Sequence, residues 1–487
     1  MPLKAPSALI IGSEAVPFAK TGGLADVLGA LPPALARLGW DVTLALPRYR
    51  GVTDGSLVDS FPVAVGGSVH EVGFFEADLP QGARALLVDC PDLFDREELY
   101  GAGGTEYTDN ARRFATLVRA ALEFTARRGV KPAVLHAHDW QAGLAPVYLK
   151  TLYATHPVLG GTPSIFTIHN LAYQGLVDAD WLPRLDLGWE QFTPSRLEYW
   201  GRISFMKGGI NDARTITTVS PRYASEIQTP EFGFGFDGIL RDRQRDIVGI
   251  LNGIDTGRWD PERDPFLPEP YSAADLAGKA GAKAEVLARY GLPAEATSRP
   301  LVAMISRMVD QKGFDLIAAF ADDLARLDAT FVILGSGEAR YQDLWTRLAA
   351  AHPDRIGVRI GFDEGLAHLI EGGADIFLMP SRFEPCGLNQ MYSLRYGTVP
   401  VVRAVGGLAD TVTDYTPGDP SATGFVFRDY TPAALLEALS RALALYPDRR
   451  AWRALQHAGM RQDHSWDRSA REYVKIYERA QSLGPGV

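Results

Sequence analysis

The chain has 487 residues, of which 46% are hydrophobic and 22% are charged, and its formal net charge is −10 at pH 7. This length favours two or three domains, and the ordinary composition excludes a disordered or low-complexity protein. The negative charge and the absence of a Lys/Arg-rich run argue against nucleic-acid binding. The two cysteines, Cys90 and Cys386, allow at most one disulfide and no cysteine-based zinc site.

The first apolar run of the chain is short. Ala8–Ile11 is followed by Gly12, so the run cannot form the core of a signal peptide or span a bilayer. We therefore expect a cytoplasmic protein that does not enter a membrane.

Short β-rich apolar runs alternate with helical stretches, which is typical of doubly wound parallel sheets. In the first half the pattern predicts strands at 7–14, 40–47, 133–139, 163–170 and 215–220 and helices at 24–39 and 111–129. In the second half it predicts strands at 300–307, 330–337, 355–362, 375–381 and 398–405.

Residues 246–270 lose this periodicity and collect Pro, Gly and Asp, as a linker does. We predict an α/β fold with two Rossmann-like doubly wound domains facing a central cleft. The domains are expected at residues 1–248 and 249–464, followed by a C-terminal helix and tail at 465–487 that cross back to the N-terminal domain.

Ligands of such sheets bind beyond the carboxyl ends of the strands, so the motifs at those ends matter most. KTGGLADV (20–27) places Gly22 and Gly23 between a strand and a helix, where backbone N–H groups attract an anion and Lys20 adds a positive charge. A tight turn with a solvated lysine is the alternative, because the GxGxxG spacing is absent. The pentapeptide GGLAD recurs at Gly406–Asp410, which indicates two related halves.

Two cations follow a predicted strand of the second half. Arg307 and Lys312, in SRMVDQKGFDL (306–316), have no acidic pair beside them and suit a diphosphate better than a metal ion. A surface charge pair is the alternative interpretation.

The segment FEPCGLNQ (383–390) follows another predicted strand. Pro385 favours the first turn of a helix, which would leave the N–H groups of Gly387 and Leu388 as unpaired donors for an anion. Glu384 would stand beside that anion, or would only complement the helix dipole.

Two further motifs suggest metal chemistry as a competing hypothesis. HAHDW (136–140) and TIHN (167–170) resemble the histidine ligands of barrel-type hydrolases, although packed histidines are more common. Asp178 and Asp180 match the DxD pattern of metal-dependent sugar-nucleotide transferases. That pattern would need to end a strand, whereas VDADWLP has the composition of a turn in a solvated loop.

The motifs together carry a family resemblance. KTGGLADV, HAHDW, TIHNLAYQG, MKGGI, TTVSPRYASEI, LNGID, SR…QKG, FEPCGLNQ and GGLADTV occur in the order found in bacterial glycogen synthases and plant starch synthases. The chain resembles these retaining GT-B glycosyltransferases from about residue 7 to residue 480. It departs from them at Val405, where the family often has Thr before the second GGL.

The resemblance implies transfer of glucose from ADP-glucose to the non-reducing end of an α-1,4-glucan (glycogen), without a metal or other cofactor and without a nucleic-acid or membrane partner. It implies catalytic roles for His169, Arg307, Lys312 and Glu384, donor contacts for Lys20, Gly22, Gly23, Asn252, Gly387 and Leu388, and a place for Asp139 near the acceptor. Arg307 and Lys312 would bind the diphosphate, and Glu384 would bind hydroxyls of the donor glucose.

Several alternatives stay open at this point. One is a related GT-B α-glucosyltransferase with another nucleotide or acceptor, and another is an inactive glucan-binding scaffold. The preference for ADP- or UDP-glucose, the acceptor length, the oligomeric state and regulation are open as well. So is the choice between a covalent and a same-face route to retention.

Overall fold

The computed structural model describes residues 5–482. The chain forms two compact units. The N-terminal unit runs to Val219, continues through Ala224–Gly253 and is completed by the segment from Trp466 on, and the C-terminal unit comprises Ser220–Tyr223 and Ile254–Ser465. None of the helices within residues 5–482 combines the length and the apolar character that crossing a bilayer would need.

The N-terminal unit is built on a nine-stranded sheet in the order β14-β13-β9-β8-β1-β2-β5-β4-β3. Its strands and those of two small sheets are β1 (Ser7–Ile11), β2 (Asp41–Pro47), β3 (Ser56–Val65), β4 (Ser68–Asp78), β5 (Arg84–Asp89), β6 (Gly101–Ala102), β7 (Thr105–Glu106), β8 (Val134–His138), β9 (Ser164–Ile168), β10 (Leu176–Asp178), β11 (Glu198–Tyr199), β12 (Arg202–Ser204), β13 (Thr215–Thr218) and β14 (Ile247–Gly249). The helices are α1 (Gly23–Arg37), α2 (Pro91–Phe94), α3 (Asn110–Arg128), α4 (Asp139–Ala142), α5 (Leu144–Lys150), α6 (Trp181–Arg184), α7 (Phe205–Asp212) and α9 (Asp237–Asp242). The first half of α8 (Pro221–Glu226) is assigned to the C-terminal unit and its second half to the N-terminal unit.

The strands from β14 to β5 are parallel, and β8 and β9 are buried along their whole length. The strand order changes direction at β1, which pairs with β2 on one side and with β8 on the other. Such a switch point leaves a crevice outside the carboxyl ends of the two central strands. Residues that follow β1 and β8 are therefore placed to meet a ligand.

The C-terminal unit has one parallel six-stranded sheet in the order β17-β16-β15-β18-β19-β20. Its strands are β15 (Leu301–Ile305), β16 (Thr330–Gly335), β17 (Ile356–Ile360), β18 (Ile376–Met379), β19 (Val399–Arg403) and β20 (Phe425–Phe427). Its helices are α10 (Ala277–Arg289), α11 (Phe314–Ala318), α12 (Ala321–Leu324), α13 (Ala339–Ala351), α14 (Glu364–Gly373), α15 (Asn389–Arg395), α16 (Gly406–Thr411), α17 (Pro432–Leu445) and α18 (Arg449–Met460).

This strand order is the 3-2-1-4-5-6 order of dinucleotide-binding sheets, with its switch point between β15 and β18. One core cluster of the unit contains Phe314, Trp345, Phe425 and Trp452, all nearly inaccessible to solvent. Every strand that the apolar runs predict is present, with bounds that differ by a few residues.

The largest antiparallel element escaped prediction, as did the small antiparallel sheets of β10–β12 and of β6 and β7. Strands β3 and β4 form a hairpin that adds to the sheet beside β5, and none of these three strands was predicted. The outer strand β3 alternates buried and exposed residues over Phe61–Val65 only, so the period of two covers half of the strand. A partly exposed edge strand gives a weaker sequence signal than a buried parallel strand.

Two tight turns of the N-terminal unit have a bulky aromatic residue at a position with positive φ. Trp200 and Gly201 join β11 to β12, since Tyr199 pairs with Arg202, and both turn residues have positive φ, 52° and 78°. Phe234 and Gly235, with φ of 49° and 85°, are the central residues of a turn closed by the N–H of Phe236 on the carbonyl of Gly233. A positive φ is rare for a bulky residue, because its side chain crowds the backbone.

The C-terminal helix, Trp466–Ser482, belongs to the N-terminal unit and packs against α1. Tyr477 meets Trp40 edge-on with ring centroids 5.0 Å apart. Asp467 pairs with Arg37, the last residue of α1. The predicted return of this helix to the N-terminal domain is confirmed.

Candidate active site

The first GGLAD copy follows β1 at the switch point of the N-terminal sheet. Gly22 is the N-cap of α1 and Gly23 is its first residue, so the predicted helix start is correct. Gly23 is exposed and Gly22 is half-buried. A β-carbon built at Gly22 would meet no atom within 4 Å, so packing within the protein does not explain why this position is glycine.

The side chain of Glu14 stabilises this loop by hydrogen bonds, a role that the sequence analysis did not predict. Its buried carboxylate accepts hydrogen bonds from the backbone N–H and the hydroxyl of Thr21, and it also interacts with the N–H of Gly22. Burial raises the pKa of Glu14, and these donors partly offset the rise. The backbone N–H of Gly22 therefore lies close to an internal carboxylate as well as on the strand-end loop.

Lys20 lies on the same loop and is exposed. Its Nζ atom is 2.6 Å from Oδ1 of Asp26, the last residue of the pentapeptide. This pair folds the lysine back over the start of α1. An exposed ion pair of this kind is weak and is easily exchanged for a ligand anion.

Asp139 occupies the other side of the switch point, directly after β8. It is the first residue of α4 and has a φ of 53°, a conformation that aspartate tolerates better than most residues. Its Oδ1 accepts hydrogen bonds from the N–H groups of His169, at 2.7 Å, and Asn170, at 3.4 Å. Burial raises the pKa of Asp139 to about 7, so both of its protonation states are populated near neutral pH.

His169 lies beside Asp139 and is half-buried. Its Nε2 is hydrogen-bonded to Nδ1 of His138 at 2.8 Å. Burial lowers the pKa of His169 to about 3, so the ring is neutral at physiological pH. A neutral imidazole can accept or donate a hydrogen bond without bringing a charge to the site.

His136, the other histidine of HAHDW, is used inside the protein. Its Nδ1 is 2.8 Å from the hydroxyl of Tyr477, and its Nε2 is 2.5 Å from the hydroxyl of Thr167. Burial lowers the pKa of His136 to about 3. The HxH motif thus places one histidine against the C-terminal helix and the other, His138, against His169.

The arrangement does not resemble the metal sites considered from sequence. Within residues 5–482, no group of three or more His, Cys, Asp or Glu side chains is placed to hold a metal ion. The expectation that VDADWLP is all turn is wrong, because Asp178 ends the short strand β10. Asp178 and Asp180 are nevertheless exposed and lie near different arginines, Arg202 and Arg184.

Asn252 also belongs to the N-terminal unit and is buried. Among the residues that the structure describes, its Oδ1 has no hydrogen-bond partner. A buried polar atom without a partner calls for an explanation, and a ligand donor is one.

In the C-terminal unit, the predicted residues meet at the switch point between β15 and β18. Lys312, shortly after β15, has its Nζ 2.6 Å from Oε2 of Glu384, which follows β18. Ser381 donates a hydrogen bond of 2.9 Å to the same carboxylate oxygen. The glutamate is buried and the lysine half-buried, so this pair is shielded from solvent.

Arg307 is exposed on the same loop as Lys312, and its guanidinium donates to Gln311 at 3.0 Å. The side chain is therefore held on the loop after β15 while it remains open to an anion. The two cations predicted from SRMVDQKGFDL are both present at one strand end, in agreement with the sequence pattern. Ser381 was missed, and its position as the last residue of a predicted strand was the available signal.

The predicted helix at Pro385 is wrong. The helix α15 begins at Asn389, with Leu388 as its N-cap, and Gly387 has a φ of 73° that no helix accommodates. Residues 384–387 form a loop instead. Gly387 and Leu388 remain half-buried at the strand end, but they are not first-turn donors of a helix as the sequence analysis expected.

The second GGLAD copy supports that loop. Gly406 has a φ of 44°, and a β-carbon there would lie 1.8 Å from the carbonyl oxygen of Glu384. The N–H of Gly407 contacts the carbonyls of Glu384 and Pro385, each at 3.2 Å. Glycine is required at Gly406 both by the backbone conformation and by this close approach.

Comparison with known proteins identifies the family. Residues 7–242 match the family model for the starch synthase catalytic domain, and residues 293–455 match the model for glycosyl transferases group 1. A glycogen synthase from Anaeromyxobacter dehalogenans is 52% identical over 98% of this chain and 99% of its own length. The chain belongs to the glycogen synthase family. The family predicted from the motifs is confirmed, and so is the prediction of a glycosyltransferase.

Other relatives agree with this assignment. A glycogen synthase from Koribacter versatilis is 48% identical over 97% of each chain. The catalytic domain of starch synthase IV from Arabidopsis thaliana, solved with ADP and acarbose bound, is 34% identical with a TM-score of 0.90, covering 98% of this chain and 99% of that one. The predicted two-domain α/β fold class is thereby confirmed. A sucrose-phosphate synthase from Thermosynechococcus elongatus, at 18% identity and a TM-score of 0.60, shares the fold.

Proposed function

We propose that this glycosyltransferase moves glucose from ADP-glucose to the non-reducing end of an α-1,4-glucan with retention of configuration. The observation that carries the proposal is the shielded pair of Lys312 and Glu384 at a nucleotide-type switch point, with Arg307 bonded to Gln311, the neighbour of Lys312 in the chain. The glycogen synthase relatives and the ADP in the starch synthase IV structure support the choice of donor and acceptor.

Breaking the bond between glucose and phosphate leaves negative charge on the diphosphate and positive character at the sugar carbon. Stabilising the leaving group is therefore the largest demand on the site. In our proposal Arg307 and Lys312 bind the diphosphate, and Glu384 accepts hydrogen bonds from hydroxyls of the donor glucose. Because Lys312 and Glu384 are 2.6 Å apart, the groups that hold phosphate and sugar are fixed relative to each other.

The N-terminal unit would supply the remaining contacts. We assign Lys20 and the backbone at Gly22 and Gly23 to the donor, and Asn252 to a donor hydroxyl that satisfies its buried oxygen. His169 and Asp139 would face the reacting sugars, where a neutral imidazole and a carboxyl with a pKa of about 7 can orient hydroxyl groups without fixed charge. Gly387 and Leu388 would line the donor sugar.

Retention requires that the acceptor oxygen replaces the diphosphate on the same face of the sugar. In a same-face route the acceptor hydroxyl gives its proton to the departing phosphate oxygen as its own oxygen bonds to the sugar carbon. In a two-step route a carboxylate forms the bond first and is then displaced. Both routes need the same two cations on the leaving group.

A transfer assay tests the proposal. Labelled ADP-glucose and UDP-glucose are compared with and without glycogen, and we expect label in the polymer from ADP-glucose. Transfer should persist in EDTA, because Arg307 and Lys312 carry the charge that a divalent ion would otherwise provide. Loss of turnover in EDTA that magnesium or manganese restores would contradict the metal-free account.

Other outcomes of the assay separate the alternatives. Transfer from UDP-glucose, or to another acceptor, would instead identify a related α-glucosyltransferase. Glucan binding without transfer from either donor would identify a scaffold.

A further inference from the structure

Two exposed aromatic side chains stand at the tight turns of the N-terminal unit. Trp200 is 85% exposed and Phe234 is 37% exposed. Each has a positive φ and precedes a glycine with a positive φ. We refer to Trp200 and Phe234 as the aromatic tips.

The turn chemistry does not explain Trp200. A two-residue hairpin loop with positive φ at both positions favours Asn-Gly, because asparagine tolerates the left-handed region. Tryptophan is bulky and is disfavoured there. With 85% of its surface exposed, the ring regains little by burial in the protein. A bulky residue that is unfavourable for its turn and little buried is a candidate for contact with a ligand.

The two tips are held together. The carbonyl of Phe234 accepts hydrogen bonds from the hydroxyl of Tyr199 and from the amide of Gln174, both at 2.9 Å. The ring of Tyr199 stacks on Phe236 with centroids 4.5 Å apart, and it meets Trp200 edge-on at 6.4 Å. Tyr199, Gln174 and Phe236 therefore form one framework that positions both tips.

The same framework reaches toward the candidate site. Gln174 follows Tyr173, which is 51% exposed and whose N–H bonds to the carbonyl of Asn170, the neighbour of His169. A third exposed aromatic residue thus lies on the segment between His169 and the tips. This continuity points to a long ligand that begins at the site and extends from it.

The charges around the tips favour an uncharged ligand. Glu198 accepts a hydrogen bond from the N–H of Gly201, and the guanidinium of Arg202 bonds to the carbonyl of Leu176 and lies near Asp178. These residues form no one-sign cluster that would attract nucleic acid or anionic lipid. Aromatic rings with adjacent polar groups suit sugar units, which present apolar C–H faces and hydroxyl edges.

We propose that Trp200, Phe234 and Tyr173 form a platform for the acceptor α-glucan chain, on which glucose units pack against the rings. The choice of ligand rests on the proposed function. The platform would hold the polymer near His169 and would raise affinity for long chains.

The substitution Trp200→Asn tests the proposal. It should weaken glucan binding without lowering the stability of the protein, because asparagine suits this turn better than tryptophan. We expect glycogen affinity to fall about tenfold, since one aromatic contact is lost, while the melting temperature stays the same or rises because Asn-Gly suits the turn. Affinity is measured by electrophoresis in gels containing glycogen, without donor, with maltoheptaose as a competitor. Trp189→Asn is the matched control, since Trp189 is 60% exposed and is not among the residues with positive φ.

Unchanged glycogen affinity of Trp200→Asn, or an equal loss in Trp189→Asn, would overturn the proposal. A change in oligomeric state by sedimentation without a change in glycogen affinity would also overturn it, because the tips would then contact a second copy. Binding that depends on Trp200 in a protein that transfers no glucose would refute the proposed function and leave the platform standing.

Discussion

The two GGLAD copies have the same five residues and both lie at the start of a helix, but their surroundings differ. Each begins a helix, α1 at Gly23 and α16 at Gly406. The β-carbon position of Gly22 is open, whereas that of Gly406 lies 1.8 Å from the carbonyl oxygen of Glu384. The pentapeptide thus forms a helix start in both units. The residues around each copy determine whether its first glycine leaves space for a ligand or allows close packing of the backbone.

The aspartates at the ends of the two copies have different partners. Asp26 is partly exposed and pairs with Lys20. Asp410 accepts a 2.7 Å hydrogen bond from the backbone N–H of Arg222 and interacts with the hydroxyl of Ser220. A motif repeated in one chain is therefore not evidence of a repeated function.

Gly406→Ala should have the largest effect. A methyl group there collides with the carbonyl of Glu384 and demands an unfavourable φ, so we expect the free energy of unfolding to fall by about 3–5 kcal/mol. Chemical denaturation measures this change, with Gly22→Ala as the matched control. Equal stability of the two variants would show that the copies do not differ in packing.

Lys312→Ala tests the loop that the second copy supports. Without this cation we expect kcat to fall about 10²–10³-fold, or roughly 3–4 kcal/mol of transition-state stabilisation. The stability loss should be smaller than that of Gly406→Ala, because Ser381 still donates to Glu384. If kcat held and only the KM for glucan rose, Lys312 would belong to acceptor binding.

Asp410→Ala and Asp26→Ala compare the ends of the two copies. Loss of Asp410 removes the acceptor of the Arg222 N–H, and we expect a cost of about 0.5–1.5 kcal/mol, the usual net value of one hydrogen bond. Loss of Asp26 removes an exposed ion pair and should cost less than about 1 kcal/mol. Thermal melting of both variants measures the difference, and the reverse order would contradict the packing account.

Gly22→Ala should leave the stability of the fold unchanged and lower the affinity for the ligand. Since its β-carbon meets no protein atom within 4 Å, we expect an unchanged melting temperature. If the donor approaches this backbone, ADP affinity should fall about tenfold, or roughly 1.4 kcal/mol. Calorimetric titration with ADP checks this, and unchanged affinity would remove Gly22 from the donor site.

Glu14→Gln should give the smallest effect, as a change in pH dependence. Burial raises the pKa of Glu14 above 4.5, so between 4.5 and the raised pKa the native state binds more protons than the unfolded state. Stability therefore falls as pH rises through that interval. The variant lacks this decline, so its stability relative to the parent should increase with pH there and level off above it. Parallel denaturation curves at all pH values would contradict this expectation.

Local sequence signals predicted most of the fold. Short apolar runs such as Val134–His138 and Ile376–Met379 are typical of buried parallel strands, and both are strands in the structure. The hairpin of β3 and β4 was missed because much of β3 is exposed. Lys312 and Glu384 lie close together because they follow the parallel strands β15 and β18, whose carboxyl ends meet at the same edge of the sheet.

The errors lie where distant residues decide local structure. Pro385 suits a first helical turn, yet Gly406 and Gly407 contact the backbone of its loop, and α15 starts at Asn389 instead. Glu14 was overlooked because a carboxylate after a strand looks solvated, whereas here it is buried under Thr21 and Gly22. Such contacts depend on the packed units and leave no periodic signal in the sequence.

The place of the C-terminal helix has a consequence for biogenesis. The N-terminal unit is the first to leave the ribosome, but Tyr477, which covers Trp40 and bonds to His136, is translated only after residues 254–465. At about 5–20 residues per second this delay lasts on the order of 10–40 s. During that time the nascent unit lacks the helix that packs against α1 and the hydroxyl that bonds to His136. A chain truncated before this helix therefore lacks part of the packing of its N-terminal unit, and we expect it to be less stable than the full chain.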